Sequence, residues 1–565
     1  MLGYVNNQIP HIPISAEGLD KKDLYVISTT NWQPYTWSIN NVALAEQLHT
    51  ALAFWQGGQS EEAYKMWESV LIESMYLGAS PGGFEQLLYQ DAIRGELYRD
   101  FADPIGMASR TLVEGLYGIQ PDALAGVLTI KPGFPSKWNE ASLEIPDISF
   151  SFKRENKQDT YKIENRLVSK MNLKLILNAP FDGIENIKVN GKVVSWKAIP
   201  ESIGTPKISI EVPYNSVYNV IVNWKGNILE DLKSETLYTS GEILNLTSSK
   251  AKIIYVNDPQ SVLTEISKTA NSLKAKVNGN GHKTFFIELK QGELSWWNPI
   301  NLNIKAEEKP NKKETNWDVP LDKSAKTETV SLTSFFNSKV TDIFNYEYLS
   351  PRPKTTTLQL PKQGIGNWCY PNVSVKIDDS GLRQKAKANG QITTPNGVPF
   401  QTPSDENLKN IVFTSMWDNF PESIKIPLDG KASHAYFMLA GSTNPMQSRI
   451  VNGEIKVEYT DGTSEVLELK NPENWWPIEQ DYFVDGLAFT TDAPKPPRIY
   501  FKSGEILRDF KDFKTIKGFS SYGVEGGAGT ILELPLNKNK TLKNLTLRTI
   551  ANDVVIGLMS LTLIR

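Results

Sequence analysis

The sequence predicts a multidomain α+β protein, in which a helical N-terminal segment precedes β-sandwich domains and a C-terminal, jelly-roll-like β domain. The chain has 565 residues, more than a single hydrophobic core usually serves. Apolar residues recur every three or four positions in the first part of the chain, and every second position in the rest. The expected parts are helices at 1–126, a β-sandwich packed on them at 127–226, a small β-sandwich at 227–304, a charged linker at 305–330 and the jelly-roll-like domain at 331–565.

Three helices are expected in the first part. The segment NNVALAEQLHTALAFW carries apolar residues at helical spacing, and Gly57-Gly58 ends it. A second helix follows in SEEAYKMWESVLIESMYLG, with Ser60 as its N-cap, so the two form an antiparallel hairpin. The third, DPIGMASRTLVEGLYG, begins at Asp103 and ends near Gly118, because Asp suits an N-cap and Pro the first helical position.

Alternating apolar residues predict the strands that follow. Examples are Ile148, Phe150 and Phe152, then Leu173, Leu175 and Leu177, then Ile208, Ile210 and Val212. Asn190-Gly191 and Asp461-Gly462 each predict a tight hairpin turn. The segment KAEEKPNKKETNWDVPLDKSAKTE is charged, poor in large apolar residues and punctuated by proline, which favours a linker.

Composition narrows the range of functions. A net charge of -4 and a pI near 5.9 favour neither nucleic-acid nor anionic-membrane binding. The single cysteine, Cys369, excludes an intrachain disulfide and a cysteine-built metal site, and the four histidines lie far apart, so we expect no metal and no cofactor. No apolar run reaches the length of a membrane span, and the first residues lack the features of a signal peptide.

Candidate chemistry is concentrated between residues 31 and 104. The chain has 14 Trp beside 21 Tyr and 22 Phe, a content that suits both β packing and stacking against sugar rings. Aromatic platforms, loop carboxylates and an arginine together are typical of a carbohydrate cleft. The residues of this kind are Trp32, Tyr35 and Trp37, then Glu85, Arg99, Asp100 and Asp103.

Structural roles are equally open for these residues. Trp32 and Trp37 can anchor their loop against the helices. Asp103 can be an N-cap without a catalytic role, and Glu85 can be a solvated loop residue. The Trp pairs in SWWNPI and NWWPIEQ are most simply corner packing in sandwiches.

Two stretches of the chain carry a family resemblance. NWQPYTWSINNVALAEQLHTALAFWQGGQSEEAYKMWESVLIESMYLG and RDFADPIGMASRTLVEGLYGIQPDALAGVLTIKPGFPSKW resemble the closing hairpins of six-hairpin glycosidases, which are (α/α)6 toroids followed by a β-sandwich. The chain looks most like a glycoside-hydrolase-like family of polysaccharide-degrading bacteria, and more distantly like inverting fucosidases and rhamnosidases. The resemblance covers about residues 10–150. It implies that Asp103 is a water-activating base and that LTIKPGFPSKW is structural. Glu85, from its place after a glycine- and proline-containing loop, is the second catalytic carboxyl candidate.

The chain also departs from that family. A full toroid has twelve helices, and about three precede the β sequence here. An inverting hydrolase needs a second carboxyl group about 6.5–9.5 Å from the base, and the family's general acid lies on an earlier hairpin. We therefore expect the C-terminal portion of a larger glycosidase, with upstream toroid hairpins, an oligosaccharide or polysaccharide as substrate, and a periplasmic or cell-surface location.

Two other functions stay open from the sequence. One is a non-catalytic carbohydrate-binding protein, in which Trp417, Trp475 and Trp476 of the C-terminal domain contact the glycan. The other is phosphorolysis in a related barrel, for which Arg94 and Arg99 are available without any phosphate-binding motif.

Overall fold

The structure is a computed structural model that divides into two compact units. It describes residues 1–20, 23–32, 42–77, 102–230, 232–305, 317, 319–345, 376–416, 419–443, 445–482, 495–507, 524–552 and 554–565. The N-terminal unit comprises the described residues of Met1–Ile27, Val42–Tyr89 and Tyr98–Glu308. The C-terminal unit comprises those of Ser28–Asn41 and Lys309–Arg565.

The N-terminal unit begins with helices and a short β-ribbon. Its elements are α1 (Leu2–Gln8), β1 (His11–Pro13), β2 (Tyr25–Ile27), α2 (Leu44–Gln56), α3 (Ser60–Ile72) and α4 (Ala102–Arg110). Single π-helical segments, Glu73–Leu77 and Thr111–Leu116, extend α3 and α4. The three expected helices are therefore present, and Gly57 follows directly after α2 as its C-cap.

The predicted N-cap of α3 is wrong by one residue, and Asp103 is not the N-cap of α4. Helix α3 starts at Ser60 with Gln59 as N-cap, and the Gln59 carbonyl accepts from the Ala63 amide at 3.0 Å. The Gly57-Gly58 turn is short, so α3 begins at Ser60, one residue earlier than it would with Ser60 as the N-cap. Likewise α4 begins at Ala102, so Asp103 is its second residue, exposed in the first turn, where a carboxylate still complements the helix dipole.

A two-sheet β-sandwich follows the helices. Its strands are β3 (Ile119–Asp122), β4 (Val127–Ile130), β5 (Glu140–Glu144), β6 (Ile148–Glu155), β7 (Gln158–Asn165), β8 (Asn172–Asn178), β9 (Phe181–Val189), β10 (Lys192–Val193), β11 (Lys197–Ile199), β12 (Lys207–Val212) and β13 (Val217–Ile228). The sheet orders are β10-β9-β13-β7-β6-β5 and β11-β12-β8-β4-β3. Asn190 and Gly191 both have positive φ and join β9 to β10, which confirms that hairpin turn.

One hydrophobic core joins the helices to this sandwich. It includes Phe54 and Met66 from α2 and α3, Phe150 from β6 and Leu175 from β8. The α2–α3 hairpin thus buries its apolar face against the β-sandwich. This packing positions the loops that lie between the helices and the sandwich.

A smaller pair of sheets completes the N-terminal unit. Its strands are β14 (Leu237–Thr239), β15 (Ile243–Thr247), β16 (Lys252–Asn257), β17 (Leu263–Lys268), β18 (Ser272–Val277), β19 (Gly281–Gln291) and β20 (Leu294–Lys305). They form sheets of order β14-β20-β19-β16 and β15-β18-β17 around a separate core. In the SWWNPI segment Trp296 lies in that core, whereas Trp297 is half-buried.

The C-terminal unit is built on a seven-stranded and a four-stranded sheet. Its strands are β21 (Thr327–Val330), β22 (Gln391–Thr393), β23 (Pro399–Gln401), β24 (Val412–Ser415), β25 (Ser423–Pro427), β26 (His434–Ser442), β27 (Val451–Tyr459), β28 (Ser464–Lys470), β29 (Arg498–Tyr500), β30 (Glu505–Leu507), β31 (Ala528–Pro535), β32 (Leu542–Thr549) and β33 (Val555–Ile564). The larger sheet runs β21-β33-β26-β31-β29-β30, with β24 also on β33, and the smaller runs β25-β32-β27-β28. Strands β22 and β23 pair with each other, and α5 (Ser380–Lys385) is the one α-helix described in this unit.

The large sheet is covered on both faces. One face shares a core with the smaller sheet, and the other packs against α5 and the β22–β23 ribbon. Strands β26 and β33 therefore read as continuous apolar runs rather than as alternating patterns. Strand β21 lies within the predicted linker. It pairs antiparallel with β33, and its Glu328 also forms an ion pair with Arg565 at 2.9 Å.

The protein is mainly β and multidomain. Strand residues outnumber helical ones across the described ranges, so α+β overstates the helical share. The toroid and the jelly roll stay predictions. No described helix is both long and apolar enough to cross a bilayer. The described histidine, cysteine, aspartate and glutamate residues form no cluster of three or more that could hold a metal ion.

Candidate functional site

A cavity of about 310 Å³ opens in the N-terminal unit beside the first turn of α3. We call it the aromatic cavity. Its walls come from the Gly58–Glu62 segment, the 132–138 loop between β4 and β5, strands β6 and β7, the end of β8 with the following Pro180, and Thr205. Its volume falls at the lower end of the range of about 300–1,000 Å³ typical of small-molecule sites.

The 132–138 loop supplies the aromatic wall of this cavity. Phe134 and Trp138 are nearly parallel, with ring centroids 5.9 Å apart and planes 19° apart. Phe134 also stacks on Phe152 at 5.5 Å and 20°, while Tyr64 meets the Trp138 ring edge-on at 5.1 Å. Because Phe134 and Trp138 are only half-buried, they present a supported apolar surface to the cavity.

Arg154 supplies the polar side of the cavity. Its Nε and Nη2 each donate to the fully buried carboxylate of Asp159 at 2.7 Å. Burial by itself would lower the pKa of Arg154, but the bond to Asp159 outweighs it and raises that pKa. Burial, and then the Asp159 charge, raise the pKa of Tyr161 well above its usual value, so its hydroxyl stays protonated beside Asp159.

Further hydrogen-bonding groups border the same cavity. Glu61 accepts from the Ser136 amide through Oε1 at 2.6 Å, which attaches the aromatic loop to α3. Asn178 and Gln59 also line the cavity, and their side-chain amides have no hydrogen-bond partner among the described residues. Arg154 Nη1 likewise keeps a donor unused within the described part of the chain.

The residues that the sequence singles out lie elsewhere. Trp32 belongs to the C-terminal unit, where it is half-buried next to Asn31, whose carbonyl accepts from Arg449 Nε at 2.9 Å. Asp103 belongs to the N-terminal unit, exposed in α4. Outside the described residues lie Tyr35, Trp37, Glu85, Arg94, Arg99, Asp100 and Trp417.

Two proposed glycan-binding tryptophans are excluded from that role. Trp475 is 0% exposed and Trp476 is 1% exposed, so neither offers a face to a ligand. Trp476 donates from Nε1 to the Pro472 carbonyl at 2.6 Å and lies 4.8 Å from the Tyr482 ring. The alternative reading of NWWPIEQ as packing is therefore correct.

Sequence reasoning missed Phe134, Trp138 and Arg154. The segment PGFPSKW carries two aromatic residues in a proline-containing loop, the same signal that marked Trp32, Tyr35 and Trp37. The family resemblance implies a structural role for this segment, which sets its aromatic residues aside. Arg154 had no local signal, since its exposure to a cavity depends on packing between β6 and distant residues.

Comparisons with known proteins complete the description. No family model and no curated protein matches the chain. Similar solved structures include a polysaccharide lyase (9% identity, 30% of this chain and 35% of that chain, TM-score 0.15). They also include a cycloalternan-forming enzyme from Listeria monocytogenes in complex with a pentasaccharide substrate (6% identity, 78% and 22%, TM-score 0.15). A third is SGBP-B from a complex xyloglucan utilization locus in Bacteroides uniformis (7% identity, 75% and 98%, TM-score 0.13).

In the first two similarities the match covers only a part of the other protein. The chain spans 35% of the polysaccharide lyase and 22% of the cycloalternan-forming enzyme. TM-scores of 0.15 and below carry no argument about fold or function.

Proposed function

We propose that the protein binds carbohydrate and that the aromatic cavity receives a sugar ring. The observation that carries this proposal is the half-buried, nearly parallel pair Phe134 and Trp138 facing unused polar groups in one cavity. A pyranose has apolar C–H faces and a rim of hydroxyl groups. The aromatic surface suits one of these apolar faces, and Arg154, Asn178 and Gln59 suit the rim, because together they offer both donors and acceptors.

The site is also well supported by its surroundings. Phe134 packs against Phe152, Arg154 is oriented by Asp159, and the Glu61 carboxylate holds the Ser136 amide. These contacts reduce the ordering that a ligand would otherwise have to impose, so more of the contact energy contributes to affinity.

The proposal is tested by glycan-array screening of the whole chain, followed by calorimetric titration of the best oligosaccharide. We expect Trp138→Ala to weaken binding by at least about tenfold, or about 1.4 kcal/mol. Trp297→Ala removes an equally half-buried tryptophan from the small sandwich and serves as the matched control. Binding that is equally strong in wild type and Trp138→Ala, or equally weakened by both substitutions, contradicts the proposal.

A second candidate function is glycoside hydrolysis by inversion in the full-length protein, with Asp103 as the base. It is favoured by the exposed position of the Asp103 carboxylate in the first turn of α4. Glu85, Arg99 and Asp100, which lie outside the described residues, are proposed to act together with Asp103. Such an enzyme needs a general acid about 6.5–9.5 Å from the base.

Asp103→Asn tests this second function. Turnover of an oligosaccharide by the full-length protein should fall by roughly 10²-fold or more, because Asn cannot accept the proton from water. Asp147→Asn, at another exposed aspartate, is the control. NMR detection of the first-formed anomer distinguishes inversion from retention, and unchanged turnover in Asp103→Asn removes Asp103 from the mechanism.

A further inference from the structure

A second cavity, of about 230 Å³, adjoins the aromatic cavity. We call it the lysine cavity. The residues that border both are Gly58, Ser60, Pro132 and Asn178. Lys131, Lys207, Gln120 and Glu114 lie on the far side of this shared border. The two cavities therefore lie side by side in the N-terminal unit, on either side of that shared border.

Lys207 is a largely buried cation. Its side chain starts at the first residue of β12 and the residue is only 7% exposed. Nζ donates to the carbonyls of Ile203 and Thr205, each at 3.2 Å. Nζ lies so close to Gly58 that a Cβ atom on that glycine would be 3.2 Å from it. The charged group is thus placed directly behind the border of the aromatic cavity.

Lys131 adds a second positive charge to the same space. It follows β4 and is half-buried, and it lines the lysine cavity together with Lys207. Neither lysine forms an ion pair with a carboxylate among the residues that the structure describes. Burial lowers the pKa of both side chains, and the charge of Lys131 lowers that of Lys207 further, to about 8.

The nearby carboxylates do not neutralise this pair. Glu114 also lines the lysine cavity, but it is bound to Arg110 at 3.1 Å on the same helical segment. Glu201 borders a neighbouring space of about 210 Å³ that both lysines also line, and it is exposed to solvent. A desolvated cation without a counterion is energetically unfavourable, and an interaction with an anion offsets this cost.

We propose that the lysine cavity binds the anionic group of an acidic saccharide, a carboxylate or a sulfate ester, whose ring occupies the aromatic cavity. This inference rests on the proposed carbohydrate binding and specifies its ligand class. The ring stacks on Phe134 and Trp138, and the acidic substituent crosses the border at Gly58. There it meets the half-buried Lys131 and the largely buried Lys207, which are less hydrated than exposed lysines and so bind an anion more strongly.

The test compares three probes by saturation-transfer NMR and calorimetry on the whole chain. They are methyl β-D-glucopyranosiduronic acid, methyl β-D-glucopyranoside 6-sulfate and the neutral methyl β-D-glucopyranoside. We expect at least one acidic probe to bind roughly tenfold or more tightly than the neutral one, equivalent to about 1.4 kcal/mol. The preferred acidic probe identifies carboxylate or sulfate as the anionic group.

Variants then locate the preference. Lys131→Met with Lys207→Met should abolish it while neutral binding persists, and Lys192→Met, at an exposed lysine of β10, should leave it unchanged. Trp138→Ala should weaken acidic and neutral probes alike. A preference that survives the double substitution overturns the inference.

The remaining outcomes separate the two proposals. Equal affinity of wild type for acidic and neutral probes overturns the inference and leaves carbohydrate binding intact. Binding of inorganic sulfate as tightly as the sulfated sugar also overturns it, since the site would then recognise an anion alone. Failure of every sugar probe and of the glycan array contradicts both proposals.

Discussion

Replacing Lys207 with methionine should make the protein more stable near neutral pH. The substitution keeps a long, unbranched side chain in a site that is 7% exposed, and removes a charge that burial disfavours. Burial, followed by the charge of Lys131, lowers the pKa of Lys207 in the folded protein to about 8, from 10.5 in the unfolded chain.

The direction of the pH effect follows from proton binding. Between about pH 8 and about pH 10.5 the unfolded chain holds a proton at Lys207 that the folded protein has released, so the wild-type free energy of unfolding rises with pH. From about pH 7 to about pH 10 this rise amounts to about 2–3 kcal/mol. At pH 7 the methionine variant should therefore be more stable by about 1–2 kcal/mol, after the bonds to Ile203 and Thr205, worth about 1 kcal/mol in total, are lost.

Hydrogen exchange measured by mass spectrometry provides the assay. Peptides from β8 and β12 report the opening free energy around Lys207, once the known pH dependence of intrinsic exchange is removed. The gain in opening free energy of Lys207→Met over wild type should shrink and then reverse as the pH rises. The opening free energy of Lys192→Met should equal that of wild type at every pH. An identical pH dependence in wild type and Lys207→Met would refute the reasoning, because it would mean that Lys207 is not a desolvated cation.

Three further predictions concern charge and backbone geometry. Burial raises the pKa of Glu479 to about 8. Between about pH 4.5 and 8 the folded protein therefore holds a proton that the unfolded chain releases, so the free energy of unfolding falls as the pH rises. In denaturant titrations Glu479→Gln should be more stable than wild type, by a margin that grows to about 3–4 kcal/mol by pH 8. Gly118→Ala should lower the free energy of unfolding by about 2–3 kcal/mol, because φ is +67° and the new Cβ would overlap the Lys131 carbonyl oxygen. Gly126→Ala, where φ is +68° but the space around the Cβ is open, should lose less stability in the same thermal melts. In calorimetric titrations, the affinity for an acidic sugar should fall above about pH 8, where Lys207 loses its proton, and the affinity for the neutral sugar should not.

Local patterns in the sequence predict local structure well here. Helical spacing identifies α2, α3 and α4, and Asn190-Gly191 identifies its hairpin, because each depends on residues close together in the chain. The N-cap of α3 is missed by one residue since the turn before it, not the Ser60 side chain, determines where the helix starts.

The candidate site depends on packing that no short pattern contains. Trp138, in the loop between β4 and β5, and Arg154, on β6, line the same cavity, and Lys207 approaches Gly58 from a position about 150 residues further along the chain. Trp475 shows the reverse error: an aromatic residue beside polar ones reads as a ligand platform, yet it is fully buried in the core that the two sheets share. Burial and cavity formation are tertiary properties, so sequence alone leaves both assignments open.

The most direct test of the account is ¹⁹F NMR of the whole chain labelled with 5-fluorotryptophan. Trp138→Phe and Trp297→Phe assign the two resonances of interest, and the oligosaccharide that binds best on the array is then titrated. We predict a saturable shift of the Trp138 resonance with no shift of Trp297, because the sugar stacks in the aromatic cavity. Saturable binding by calorimetry with an unmoved Trp138 resonance would contradict the account, since the sugar would then be bound elsewhere.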